Sequence, residues 1–320
     1  MIDVKGLVKE YRVRKEHSIL RKKKVRALKG ISFKVKEGEF VGYLGPNGSG
    51  KSTTIKILSG IIYPTRGEVK VMGYIPWEDR IEYVSHIGVV LGSKSSLFWD
   101  LPAIDSLKFM RAVYRIPKSE FEARLRKYCD VLGLKKLLTR RVRNLSLGER
   151  MKFNFVAAVL HDPQIFFLDE PTIAVDAVSK DDLRQFMKEL NKEGKTMILT
   201  THDMEDVENL CRRLILLNEG EILFDGNIKD FKRRHANFKL LKVEVESFKH
   251  KRNFMKIVKE HEHKIEANMF SIRVKDWSEA QSLLNKLRRH AELIDVDISN
   301  PSLHFIVSSV YRNLKKGEEQ

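Results

Sequence analysis

Gly45-Pro46-Asn47-Gly48-Ser49-Gly50-Lys51-Ser52 decides the reading of this 320-residue chain. It follows the apolar run Phe40–Leu44 and precedes a helical pattern over Thr53–Leu58, which predicts a strand–loop–helix unit. Three glycines let the main chain wrap closely enough for successive N–H groups to face phosphate oxygens. The helix that follows presents the positive end of its dipole to the same anion. Residues Gly45, Pro46, Asn47, Gly48, Ser49, Gly50, Lys51, Ser52 and Thr53 are therefore the candidate phosphate contacts. Lys51 is placed to bridge β- and γ-phosphates and Ser52 to ligate Mg²⁺, which points to a nucleoside triphosphate.

Gln164-Ile165-Phe166-Phe167-Leu168-Asp169-Glu170 supplies a partner element. Four apolar residues predict a buried strand, with an acidic pair at the carboxyl edge where open parallel sheets bind ligands. Asp169 is the candidate metal ligand, and Glu170 is placed to polarise an attacking water as general base.

Outward from these two segments, alternation predicts strands at Ile2–Tyr11 and Ile31–Val35, with the basic stretch Arg12–Arg26 between them as a loop or short helix. Further strands are predicted at Gly67–Met72, Ile87–Leu91, Ile165–Leu168 and Met197–Thr200, with helical periodicity from Ala103 to Val142, over Asp181–Asn191 and over Met204–Cys211. Leu214–Leu217 and Glu221–Phe224, joined by Asn218-Glu219-Gly220, read as a hairpin. A linker is predicted near 226–236. Beyond it lie strands Leu240–Val245 and Ser271–Val274, helices near Phe254–Glu260 and Asp276–His290, and a closing helix from Asn300-Pro301. This predicts an α/β nucleotide domain over 1–230, with an inserted helical subdomain at about 95–155, and a small C-terminal α/β domain over 231–320.

Composition narrows the class. Two isolated cysteines, Cys129 and Cys211, argue against a disulfide framework or structural zinc and fit a reducing compartment. No apolar run approaches the ~18–20 residues of a spanning helix. The formal net charge is +17, of which +8 falls between Lys9 and Lys29 and +7 between Lys232 and Lys264, leaving the remainder nearly balanced. Such windows read either as solvated faces or as partner surfaces for phospholipid headgroups.

Leu145-Ser146-Leu147-Gly148-Glu149-Arg150, about twenty residues before the acidic pair, resembles the signature of the ATP-binding cassette (ABC) family, with Leu147 for the first Gly and Glu149 for Gln. The resemblance covers roughly residues 1–230 and implies a P-loop ATPase fold. It implies that Ser146 and Gly148 contact the γ-phosphate bound by a second cassette, so that two cassettes, as homodimer or heterodimer, sandwich two ATP molecules. Tyr11 resembles the aromatic that stacks on adenine, and Asp176, after Pro171-Thr172-Ile173-Ala174-Val175, the loop that communicates between sites. His202 resembles the switch histidine that contacts the γ-phosphate. Where the family carries a metal-touching Gln, this chain has Ser93, whose reach is shorter.

Tyr63-Pro64-Thr65-Arg66-Gly67-Glu68-Val69, Gly73-Tyr74-Ile75-Pro76-Trp77, Phe98-Trp99-Asp100-Leu101-Pro102 and Asp297-Ile298-Ser299-Asn300-Pro301-Ser302-Leu303 look like the ATP-binding subunits of ABC-2-type transporters. That branch implies Mg·ATP hydrolysis driving export through a separate transmembrane permease. It also implies a cytoplasmic protein, peripheral on the cytoplasmic face of the cell membrane, with an anionic membrane surface as a possible further partner. Two alternatives stay open: a soluble cassette ATPase acting on ribosomes or nucleic acid, which the charge would support, and a cassette that binds ATP without hydrolysing it. Nucleic acid is the less favoured partner, because such proteins generally resemble paired or coiled-coil-split cassettes.

Overall fold

Strand β3 (Phe40–Leu44) is buried at every position and lies between two parallel neighbours in a six-stranded sheet. The computed structural model describes residues 1–14, 22–92, 94–236 and 238–318. It divides into two compact units, Met1–Ile228 and Lys229–Gln320.

In the first unit, β1 (Ile2–Arg14), β2 (Lys22–Val35) and β4 (Arg66–Val71) form an antiparallel sheet in the order β2-β1-β4. The basic stretch is therefore not a loop or helix over its described residues. The β1–β2 ladder continues through Tyr11↔Val25 and Arg12↔Lys24 to Arg14↔Lys22. Charge blurred the alternation there, but Tyr11, Val13 and Val25 keep the two-residue period. After β3 come α1 (Lys51–Leu58), α2 (Arg80–Tyr83) and β5 (Ile87–Leu91). The helical block is α3 (Ala103–Val113), α4 (Lys118–Val131) and α5 (Leu147–Val159). Then follow β6 (Ile165–Asp169), α6 (Ala177–Lys192), β7 (Thr196–Thr200), α7 (Met204–Leu210), β8 (Arg213–Asn218) and β9 (Glu221–Asn227). The large sheet runs β5-β6-β7-β3-β8-β9, parallel except for the β8–β9 hairpin. Runs such as Ile165–Leu168 and Met197–Leu199 are buried on both faces, as parallel strands covered by helices require. Because β3, β6 and β7 are neighbours or near neighbours, the loops at their carboxyl ends converge.

The boundary between the two units falls within the segment near 226–236, but that segment is regular structure and not an open linker: β9 reaches Asn227 and α8 (Ile228–His235) follows at once. The second unit then runs β10 (Lys239–Phe248), α9 (Lys251–Lys259), β11 (His263–Glu266), β12 (Met269–Val274), α10 (Trp277–Arg288) and β13 (Ala291–Ser299), closed by α11 (Leu303–Glu318). This β-α-β-β-α-β order with sheet order β11-β12-β10-β13 is the split βαβ arrangement. Alternate residues Leu241, Val243 and Val245 of β10 join Phe270, Ile272 and Val274 of β12 and Phe254 of α9 in one core. Asp276 caps α10, its carboxylate accepting from Glu279 N–H at 3.0 Å.

One buried histidine couples the first unit to pH. His161, beyond the end of α5, stacks on Tyr114 with ring centroids 3.8 Å apart and 4° between planes. Its Nε2 lies 2.9 Å from the Ile87 carbonyl, while Nδ1 is buried without a partner. Burial pushes its pKa down to about 4. The folded state thus holds a neutral ring while the unfolded chain takes up a proton near pH ~6.5, so stability is full above that value and falls as pH drops toward ~4. Urea unfolding at about pH 7.5 and about pH 5 should differ by ~2 kcal/mol from this group, and His161→Gln should remove that part of the slope.

Candidate nucleotide site

The loop between β3 and α1 is shaped by two glycines, Gly45 and Gly50, with no room for a side chain. A Cβ on Gly45 would lie 2.3 Å from Ser49 Oγ and 2.8 Å from the Leu217 carbonyl. Gly50, at φ +107°, caps α1, and a Cβ there would meet the Ala27 carbonyl at 2.6 Å. The loop encloses a pocket of about 350 Å³ with Asn47, Gly48, Gly50, Lys51, Ser52 and Thr53 on one side and Ala27, Glu170 and His202 around it. Lys51 is buried, and its ammonium donates to the carbonyls of Gly45 at 2.7 Å and Pro46 at 3.2 Å. Burial lowers its pKa, against the opposing charges of Glu170 and Asp169.

The acidic pair meets this loop at the end of β6. Ser52 Oγ donates to Asp169 Oδ1 at 3.1 Å, and Thr200 Oγ1 donates to the same oxygen at 2.5 Å. Glu170 turns out of the strand at φ +52°, a left-handed conformation costing about 1 kcal/mol for a residue with a Cβ. Its Oε2 accepts from His202 N–H at 3.2 Å. The His202 Nε2 stands 3.0 Å from Oε1, but the approach lacks hydrogen-bond geometry and Oε1 is buried without a donor. Burial raises the Glu170 pKa, with His202 and Lys51 opposing. Gly92, after β5, donates its N–H to the Asp169 carbonyl at 2.7 Å, and a Cβ there would fall 2.1 Å from the Glu170 carbonyl. Ser93 lies outside the described residues. Beyond it, Ser95 Oγ and Ser96 N–H each donate at 3.1 Å to Asn154 Oδ1 on α5, tying this loop to the helix that begins at Ser146.

Ser146, Gly148 and Asp176 come together at a second place and do not line the pocket. Ser146 caps α5 through a reciprocal pair: Glu149 N–H donates to Ser146 Oγ at 3.1 Å, and Ser146 N–H to Glu149 Oε2 at 2.7 Å. Glutamate in place of glutamine thus completes a capping box. A Cβ on Gly148 would lie 2.4 Å from Ser179 Oγ and 2.6 Å from Asp176 Oδ2, and Asp176 itself caps α6 through Ser179 N–H at 2.9 Å. Tyr11 also stands off the pocket lining. It is 37% exposed, paired with Val25, with Lys9 Nζ 5.1 Å from its ring centroid, and Ala27 of the pocket is two residues along β2 from Val25.

The ABC transporter family matches residues 28–173. The ABC transporter ATP-binding protein NatA of Bacillus subtilis (strain 168) is 32% identical over 209 residues, covering 65% of this chain and 85% of the relative. The linearmycin resistance ATP-binding protein LnrL of the same organism is 30% identical over 284 residues, 86% of this chain and 90% of the relative. A solved ATP-binding subunit of an ABC transporter superposes with TM-score 0.63 at 26% identity, over 73% of this chain and 92% of its own. A dimeric ATP-binding cassette in a post-hydrolysis state with ADP and Pi superposes with TM-score 0.63 at 28% identity, over 71% and 99%.

Thr200 and a buried ionic junction behind the pocket escaped the sequence reading. The fully buried Asp206 accepts from Thr172 Oγ1 at 2.6 Å on one oxygen and from Arg184 Nε at 2.5 Å on the other. Thr172 lies two residues past Glu170 and Asp206 four past His202, so the junction fixes the two strand-end loops to α6. Spacing gives no hint of it, since an acid in the first turn of α7 is ordinary at a helix N-terminus. Removing the carboxylate in Asp206→Ala takes the partner from Arg184 Nε and from the Thr172 hydroxyl, while the guanidinium keeps Asp181 and Glu205. It should lower stability by about 1–3 kcal/mol, read as a shifted urea midpoint at constant m-value.

Proposed function

The chain belongs to the ABC transporter ATP-binding proteins and is an ATPase of that family, and on that premise we propose that it is the motor subunit of an ABC-2-type exporter. The observation that carries this reading is the separation of two half-sites on one chain. The phosphate pocket with Glu170 and His202 is one half, and the capped N-terminus of α5 at Ser146 and Gly148 is the other. A helix N-terminus suits a phosphate, and a second copy placed head to tail would bring it to the pocket of the first. The dimeric relative supports that arrangement.

In this reading Tyr11 stacks on adenine, and Lys51 with the N–H groups of residues 45–53 holds the β- and γ-phosphates. The hard oxygen donors Ser52 and Asp169, gathered at one point, fit Mg²⁺, with the segment at Ser93 as an additional candidate contact. The metal would neutralise phosphate charge. Glu170, with its buried unpartnered Oε1 beside the pocket, takes a proton from the attacking water as general base. His202 orients Glu170 through its N–H and contacts the γ-phosphate. Asp176 carries the state of one site to the other through its contact with Gly148.

No helix among the described residues is long and apolar enough to cross a membrane. Transport then runs through a separate permease, with this subunit on the cytoplasmic face. The relative named for resistance to linearmycin, aligned along both units, supports an outward direction.

Glu170→Gln should lower ATP turnover about 10²–10⁴-fold while ATP still binds and a dimer accumulates on gel filtration. Unchanged turnover would place the base elsewhere. Gly148→Ala, whose methyl collides with Asp176 and Ser179, should abolish that ATP-dependent dimer without loss of ATP binding by the monomer.

A further inference from the structure

The outer ends of β1 and β2 carry a charge arrangement that the nucleotide site does not use. In the antiparallel register Arg12 stands directly opposite Lys24 and Arg14 directly opposite Lys22. Like charges at opposed positions destabilise a β-ribbon. The nearby acid, Glu10, is already engaged: Arg26 Nε lies 2.7 Å from its Oε1 and Lys24 Nζ 3.9 Å from its Oε2. The hydrogen bond from Arg26 foremost holds the Glu10 carboxyl below its usual range. Strand alternation puts the pairs Glu10↔Arg26 and Arg12↔Lys24 on one face, and the pair Tyr11↔Val25 on the other. Among the described side chains, that face of the ribbon holds one acidic position and three basic ones. Lys24 and Arg26 are about two-thirds exposed.

We propose that this basic face docks on an anionic lipid surface. A negative group seated between Arg12 and Lys24 converts an opposed pair of cations into two attractions. The proposal rests on the transporter reading, which brings a membrane within reach of the chain. A row of exposed cations on one strand face matches the negative surface of headgroup phosphates. Single-stranded nucleic acid calls for aromatic platforms interleaved with the cations, and the aromatic of this ribbon, Tyr11, belongs to the opposite face.

The test uses the full-length chain and vesicles of phosphatidylcholine with or without one-third phosphatidylserine, in about 0.1 M salt. Wild type should sediment with the serine-containing vesicles and not with the neutral ones. Arg12→Thr/Lys24→Thr keeps strand-forming residues and should bind about 30-fold more weakly, from ~1 kcal/mol for each cation at the surface. Its melting temperature should not fall, because the opposed charges are gone, and its ATPase rate in solution should stay at the wild-type value. Lys188→Gln/Lys192→Gln on α6 should leave vesicle binding intact. An equal loss in that control overturns the proposal. So does equal binding of wild type to neutral vesicles, or tighter binding to a single-stranded oligonucleotide than to anionic vesicles at the same salt. Glu170→Gln tests the motor reading by turnover alone, so the two ideas fail by different measurements.

Discussion

Asp169 Oδ1 accepts hydrogen bonds from two hydroxyls that belong to different elements, Ser52 at the start of α1 and Thr200 at the end of β7. Through that one oxygen the phosphate loop, the acidic strand and the strand leading to His202 share a fixed point. Glu170 follows Asp169 by one residue and His202 follows Thr200 by two, so neither can move far while the point holds. The parallel sheet makes this possible. Its central strands are sealed on both faces, and polar side chains gather at the carboxyl edge where the burial ends.

Close approach is the second constraint. Gly92 presses its backbone onto the carbonyls of Asp169 and Glu170, and Gly148 presses onto Asp176 and Ser179. Each contact is shorter than any side chain allows. Two residues with side chains accept left-handed backbone on the same stretch, Glu170 at φ +52° and Ala174 at φ +56°. The loop after β6 is thus held in a conformation its own residues do not prefer, by the junction of Asp206, Arg184 and Thr172 behind it. Rigidity at this site comes from packing around the loop rather than from the loop's composition.

These two constraints also mark where sequence reading succeeded and where it stopped. The central strands were legible because continuous apolar runs such as Phe40–Leu44 and Ile165–Leu168 admit few other interpretations. The phosphate loop was legible because its glycines and Lys51 sit in a fixed spacing. Helix α5 shows no clean periodicity, since Gly148 and every residue from Met151 to Val159 is buried, Lys152 and Asn154 included, and a helix buried all round has no exposed polar stripe to count. Strands β11 and β13 were missed for the opposite reason. Glu266, Ile294 and Asp295 are exposed on edge strands; β13 pairs with β10, about fifty residues earlier, and the short β11 carries no buried residue to mark an alternation. Thr200 and Asp206 depend on neighbours twenty or more residues away, which no local pattern can display.

The second unit has a topological property with its own consequence. Its first strand, β10, pairs with its last, β13, and Leu240 near the entrance stands opposite Ser299 at the exit. The chain therefore enters and leaves the sheet at neighbouring points, with α8 arriving and α11 departing from the same end. Everything between, including the β11–β12 hairpin and both covering helices, hangs from that gate as a closed loop of structure. Lengthening a turn on the far side or trimming its hairpin changes the body without moving the two ends. Such a module tolerates sequence drift and grafting in a way the nucleotide site, pinned at Asp169 by three separate elements, does not.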